Sequence, residues 1–249
     1  MSRPQLVLGP ALGTSADALW GRCAALLEPV FDVVVWDLPG HGANRDAVAD
    51  PALRIEQLAA GVLREVEGPF VYAGDSAGGA VGLQLLLDAP ERVTSAVLLC
   101  TGARLGEPQA WFDRAELVRT AGTAALREAA AQRWFAAGFV DRRPEVAAAL
   151  LDHLLAVDDE GYAAVCHALA HFDVRDRLGE IAVPVLAIGG RHDVATSTGL
   201  LEQIGSGVRH GRTVVLDDVA HLAPAEAPEL VATLIADHAL RPRRTRGGP

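Results

Sequence analysis

The residues best placed to do chemistry in this chain are Ser76, Asp193 and His221, and each follows a run of apolar residues. Ser76 lies in Gly74-Asp75-Ser76-Ala77-Gly78, entered by the β-prone run Phe70-Val71-Tyr72-Ala73 and left by the helix-compatible run Ala80 to Ala89. A serine in such a strand–turn–helix is held out at the edge of a sheet, at a helix N-terminus whose free N–H groups favour developing negative charge. The turn is sharp enough to strain the serine backbone, and glycine at 74 and 78 removes the side chains that would collide. The same five residues also suit a plain Gly/Ser turn with no chemistry. Their strand and helix flanks, and the partners downstream, single this one out.

A serine hydroxyl becomes a nucleophile when a base takes its proton and a third group orients that base. In an open parallel sheet these partners belong just after the carboxyl ends of strands. Two stretches qualify. The run 183–188 leads into Gly189-Gly190-Arg191-His192-Asp193, and the run 213–216 leads into Asp217-Asp218-Val219-Ala220-His221-Leu222. The resulting chain order is Ser…Asp…His. Of the eight histidines, His221 is the expected base, in a loop able to fold over Ser76. His192 adjoins the favoured acid, and His41, in a glycine-rich turn, is expected to brace that turn. His153, His167 and His171 fall in a helical region, and His210 and His238 read as surface positions. Asp193 is the expected acid; Asp217 and Asp218 read as turn acids, and Asp75 should point away from its neighbour Ser76. An oxyanion would need backbone donors. The N–H of Ala77 is one, and the loop Pro10-Ala11-Leu12-Gly13 supplies the other, with Leu12 favoured.

These positions need a scaffold, and the pattern supplies one. Short apolar runs at 5–8, 31–36, 70–73, 93–100, 183–188 and 213–216 read as strands. Helical spacing separates them at 18–27, 55–65, 80–89, 197–204 and 228–239. Alternating strands and helices predict an α/β fold, a parallel sheet covered on both faces. Strands that are apolar throughout fit burial from both sides. The alternation stops after Gly102. Residues 104–180 carry helical stretches at 111–120, 123–135, 144–156 and 161–170, and read as a cap over the carboxyl edge of the sheet. The expected organisation is a core of residues 1–103 plus 181–240, a helical cap of residues 104–180, and a basic tail, 241–249, read as disordered.

Composition narrows the function further. Net charge is −10, all basicity comes from arginine, and four arginines lie in the tail. Without those four the charge is −14, which argues against nucleic acid as a partner. No apolar run reaches the roughly 20 residues that span a bilayer. The start Met1-Ser2-Arg3-Pro4 lacks signal-peptide features, so a cytoplasmic protein is expected. The three cysteines, Cys23, Cys100 and Cys166, have no metal-ligand or disulfide spacing and are expected to be reduced and mostly buried. No metal and no cofactor are expected: there is no H-E-x-x-H, a G-x-x-x-x-G-K loop is impossible without lysine, and no strand–helix turn carries a clean dinucleotide fingerprint.

The chain resembles the α/β-hydrolase superfamily over most of its length, and within it the 3-oxoadipate enol-lactonases. Leu6-Val7-Leu8-Gly9-Pro10-Ala11-Leu12-Gly13-Thr14-Ser15 with Trp20, Gln132-Arg133-Trp134-Phe135, Glu160-Gly161-Tyr162-Ala163-Ala164-Val165-Cys166 and Phe172-Asp173-Val174-Arg175-Asp176 carry this likeness. The absence of an H-G-G-G motif separates it from the hormone-sensitive-lipase-like esterases. The resemblance implies Ser76 as nucleophile, Asp193 as acid and His221 as base, with Trp134 and Arg133 lining a pocket for a small molecule. It implies a cofactor-independent hydrolase that opens an enol-lactone through an acyl-enzyme. Family members usually carry two further strands before the first one here, so six strands are expected rather than eight. Gly-Asp-Ser-Ala-Gly-Gly also departs from the commoner Gly-x-Ser-Met-Gly-Gly. The alternatives are another hydrolase on the same scaffold (a carboxylesterase, thioesterase or C–C hydrolase) and a non-catalytic binding protein.

Overall fold

The computed structural model describes residues 3–47 and 50–241. The tail expected to be disordered lies, from residue 242 on, outside the described residues. Six strands form one sheet: β1 (Gln5–Gly9), β2 (Asp32–Val35), β3 (Phe70–Asp75), β4 (Val93–Leu99), β5 (Val185–Gly190) and β6 (Gly211–Leu216). Their order is β2-β1-β3-β4-β5-β6, and every pairing is parallel. The α/β reading and its six strands therefore hold. β3 and β5 are buried along their whole length, as expected for strands covered on both faces. The edge strand β2 is not: none of its four residues is buried.

The chain leaves β1 for β2 on one side, then returns to lay β3 on the other. Ligands in open α/β sheets bind at the carboxyl ends of strands where the order reverses in this way. Here Gly9 and Gly74 sit opposite one another at that end of β1 and β3. The loops that leave them carry Leu12 and Ser76.

The helices of the alternating part are α1 (Ala16–Leu27), α2 (Ile55–Glu65) and α3 (Ala77–Asp88). In α2 the buried residues are Ile55, Leu58, Ala59 and Val62, a single stripe of period near 3.6. In α3 ten consecutive residues from Ala77 to Leu86 are buried. It begins three residues earlier than helical spacing suggests, because its first turn grows directly out of the serine turn.

Between β4 and β5 lie α4 (Pro108–Ala121), α5 (Arg127–Trp134), α6 (Phe139–Arg142), α7 (Pro144–Ala156) and α8 (Asp159–Ala170). An isolated antiparallel bridge, Arg104 to Asp173, joins the two ends of this segment. The helix expected over 123–135 is broken. Thr123–Leu126 is a 3-10 turn and α5 follows it, while Gly122 at φ 73 separates this segment from α4. The helices α9 (Thr198–Gly207), α10 (Ala223–Glu226) and α11 (Pro228–Ala239) complete the chain. The four-residue helix α10 had no sequence signal. The three cysteines are free and buried. Among the described residues no helix is long and apolar enough to cross a membrane.

Candidate active site

Ser76 sits between β3 and α3 at φ 52, ψ −110, a region that L-residues seldom occupy. The surroundings hold it there. Its N–H donates to the Leu99 carbonyl at 2.8 Å, and its own carbonyl accepts from the Thr101 hydroxyl at 2.7 Å. Glycine is required on both sides. A Cβ on Gly74 would lie 2.3 Å from the Gly78 carbonyl oxygen, and one on Gly78 would lie 2.6 Å from the backbone of Gly9. The strained serine and the close approach of β1 are one construction, also tied by the Gly78 N–H donating to the Pro10 carbonyl at 2.9 Å.

The three side chains expected to work together do meet. The Ser76 hydroxyl lies 3.0 Å from His221 Nε2, and His221 Nδ1 lies 2.9 Å from Asp193 Oδ2. The carboxylate bond fixes the tautomer, with the proton on Nδ1 and the Nε2 lone pair facing Ser76. Asp193 Oδ1 accepts from the N–H groups of Ala195 and Thr196 at 2.8 and 2.9 Å, and Oδ2 also accepts from the Thr196 hydroxyl. Burial opposes ionisation of Asp193, but the bonds from His221 and Thr196 outweigh it and hold its pKa below the usual carboxylate value. Thr196 is a partner that sequence reasoning did not identify.

The Leu12 and Ala77 N–H groups have no acceptor among the described residues. Ala77 opens α3, where a first-turn N–H has no intrahelical partner. Leu12 and Ser76 face the same cavity of about 240 Å³. Its far wall comes from the helices between β4 and β5, with Trp111, Arg114, Arg133, Trp134 and Tyr162 among the lining residues. Trp134 and Arg133, the two residues the resemblance sets against a pocket, both line this cavity. Arg114 was not anticipated. Its guanidinium stacks over Trp111, 4.9 Å from the ring centroid. None of the lining side chains is a carboxylate. Burial, and then the neighbouring Arg114, push the pKa of Arg133 below its ordinary value.

The loop carrying His221 is fastened to that wall. The Trp134 carbonyl accepts from the N–H groups of His221 and Leu222 at 3.2 and 3.3 Å. The Glu226 carboxylate accepts from Ala136 N–H at 2.8 Å and from Ala220 N–H at 2.9 Å. Behind the loop, the Cys100 thiol donates to the Ala220 carbonyl at 3.5 Å. Cys100, Asp193 and His221 are the one group of His, Cys and acid side chains whose potential metal-ligand atoms come within 4.8 Å among the described residues. Its ring and carboxylate already bond each other, and burial keeps the Cys100 thiol protonated by raising its pKa well above the usual value.

A profile of the Alpha/beta hydrolase family matches residues 6–234. The chain belongs to this family. It is 34% identical over 231 residues to 3-oxoadipate enol-lactonase 2 of Acinetobacter baylyi, a match covering 91% of this chain and 85% of that one. It is 29% identical to a pimeloyl-[acyl-carrier protein] methyl ester esterase of Vibrio campbellii, over 82% of this chain and 83% of that one. The enol-lactonase of Burkholderia xenovorans LB400 superposes with a TM-score of 0.91 at 32% identity, covering 97% of this chain and 93% of the other. In this alpha/beta hydrolase one acid stands apart. Asp75 is fully buried, and neither carboxylate oxygen has a hydrogen-bond partner among the described residues. Burial, with Asp193 and Glu226 nearby, raises its pKa well above the ordinary value.

Proposed function

We propose that this chain is a cofactor-independent serine hydrolase that opens a small enol-lactone, converting 3-oxoadipate enol-lactone to 3-oxoadipate. The observation that carries the reading is the line Ser76–His221–Asp193 opening onto a cavity that holds two arginines and no carboxylate. A lone hydroxyl–imidazole–carboxylate line suits many acyl transfers. Two guanidinium groups without an acidic partner suit a substrate that brings its own carboxylate. The enol-lactonase relatives support the choice of ring.

His221 Nε2 takes the Ser76 proton as Oγ attacks the lactone carbonyl carbon. The tetrahedral oxyanion is held by the N–H groups of Leu12 and Ala77. Its collapse breaks the ring C–O bond, the leaving enol oxygen takes the proton back from His221, and the enol tautomerises to the ketone. A water deprotonated by His221 then attacks the acyl-enzyme, and its proton returns to Ser76 Oγ as the acid is released. Asp193 stays ionised throughout and stabilises the imidazolium. Arg133 and Arg114 hold the carboxylate arm, and Trp134 packs against the ring. Residues 104–180 act as the cap, over a core of residues 1–103 and 181–240, keeping the tethered leaving group in place until the ring has opened.

A second reading is a carboxylesterase acting on a small acid ester, favoured by the esterase among the relatives. Hydrolysis of 3-oxoadipate enol-lactone beside a p-nitrophenyl ester, with Ser76→Ala as control, separates the two. Rapid lactone opening that vanishes in Ser76→Ala is the expected result. Ester turnover without lactone turnover would keep the serine chemistry and replace the substrate.

A further inference from the structure

His41 lies outside the hydroxyl–imidazole–carboxylate line and is completely buried. It sits in the Pro39-Gly40-His41-Gly42 turn that follows β2. Its ring makes two bonds. Nδ1 lies 2.8 Å from the Pro39 carbonyl oxygen, and Nε2 lies 3.1 Å from the Gly13 N–H. A carbonyl accepts only, so Nδ1 carries the proton and donates. Nε2 is then a bare lone pair that accepts from Gly13. A charged ring has no lone pair, so the arrangement needs neutral imidazole. Burial supplies this by pushing the pKa down to about 4, against the opposing pull of the Pro39 carbonyl and Asp158.

Gly13 is the residue after Leu12. Consecutive peptide N–H groups in a turn cannot all aim at one point. Fixing the Gly13 N–H on His41 therefore fixes the peptide plane next to the Leu12 N–H, which stays unpartnered beside the cavity. The rest of the loop is clamped already: Thr14 N–H and its hydroxyl both donate to the Ala11 carbonyl, at 3.1 and 2.9 Å. The ring of His41 also stacks on Tyr162 of α8, with centroids 6.1 Å apart and planes 18° from parallel. The turn carrying His41 is bonded to the same helix end, because the Asp158 N–H donates to the Gly40 carbonyl at 2.9 Å.

We infer that His41 is a positioning residue for the oxyanion hole: it holds the Gly13 N–H so that the Leu12 N–H is free and aimed at the substrate carbonyl oxygen. This rests on the serine-hydrolase reading above. His41 touches neither substrate nor reacting atoms. Its effect belongs to the transition state, where the oxyanion exists, and not to substrate binding.

The test compares His41→Phe, which keeps a ring against Tyr162 but removes the acceptor, with His41→Gln, whose amide oxygen can take the Gly13 N–H. The readouts are kcat and KM for a p-nitrophenyl ester, and the Kd of phenylboronic acid, which forms a tetrahedral serine adduct with a hydroxyl in the oxyanion position. In His41→Phe we expect kcat to fall and the boronate Kd to rise together, each by about 10- to 100-fold, with KM within about twofold of the parent. His41→Gln is expected to recover most of both. Unchanged boronate affinity in folded His41→Phe, or a Gln variant no better than Phe, overturns the role of His41 alone. A parent protein that forms no boronate adduct overturns the serine-hydrolase reading and this inference with it. Should His41→Phe fail to fold, the 15N shifts of the His41 ring in the parent protein decide at pH 7. Neutral imidazole with its proton on Nδ1 is required, and a proton on Nε2 sinks the inference.

Discussion

The two walls of the cavity are built differently. The sheet side, from Gly9 to Ser15 and from Gly74 to Gly79, is held by backbone hydrogen bonds, with Gly74 and Gly78 where a Cβ would strike main chain. The helical side presents long side chains, Trp111, Arg114, Arg133, Trp134 and Tyr162. One wall fixes atoms that must be placed to a fraction of an ångström. On the proposed reading, the other sets which molecule is received. The proposed chemistry then lies in the wall built from backbone, and the proposed selectivity in the wall built from side chains.

The sharpest way to break this division is Ser76→Ala. Loss of turnover by about 10⁴-fold or more, with ligand binding retained, is expected in steady-state hydrolysis assays. Substantial residual activity would move the chemistry elsewhere. Next is the helical wall. Arg114→Gln and Arg133→Gln should each lower kcat/KM for an acidic lactone by about 10- to 100-fold, yet leave an uncharged p-nitrophenyl ester within about twofold. Equal losses on both substrates would show that the arginines hold the fold and not a carboxylate.

The sheet wall should answer differently. Gly78→Ala forces a Cβ against the Gly9 backbone and is expected to cost about 2 kcal/mol in urea unfolding, with activity falling on every substrate alike. The smallest effect concerns Asp75. Its raised pKa means that the native state keeps a proton the unfolded chain gives up near pH 4. This stabilisation is present at low pH and drains away as pH rises through the folded pKa. Asp75→Asn removes the titration, so it should gain about 1 kcal/mol on the parent in urea midpoints at pH 8. The gap should shrink toward pH 4, and a gap that is the same at both pH values would refute the buried acid as its source.

The same division explains what could be read from the chain. Ser76, Asp193 and His221 are legible because strand ends impose their order and because a strained turn leaves a glycine signature around the serine. The helices at 55–65, 144–156 and 228–239 were legible to the residue from apolar spacing and flanking proline or cap signals. Arg114 was not. It stands on α4 amid Asp113, Glu116 and Arg119, and only the packing of α4 along α8 decides which of these charges faces inward. Arg133 was identified through resemblance alone, since a charge at the end of a helix is most often solvated. Glu226 escaped because α10 is too short to show a period. The 3-10 turn at Thr123–Leu126 escaped because apolar spacing does not separate one such turn from the start of the helix that follows it.

The fastening of the His221 loop has a further implication. Trp134 and Ala136 hold residues 220–222 directly and through Glu226, so this part of the helical wall and His221 belong to one mechanical unit. If segment 134–136 swings outward to admit a molecule, it must either break these bonds or carry His221 away from Ser76. Admission and reactivity are then mutually exclusive states of the same segment. On the serine-hydrolase reading, Ser76 would then be armed only with that segment closed, and an idle, open molecule would have little power to attack whatever acyl compound drifts past.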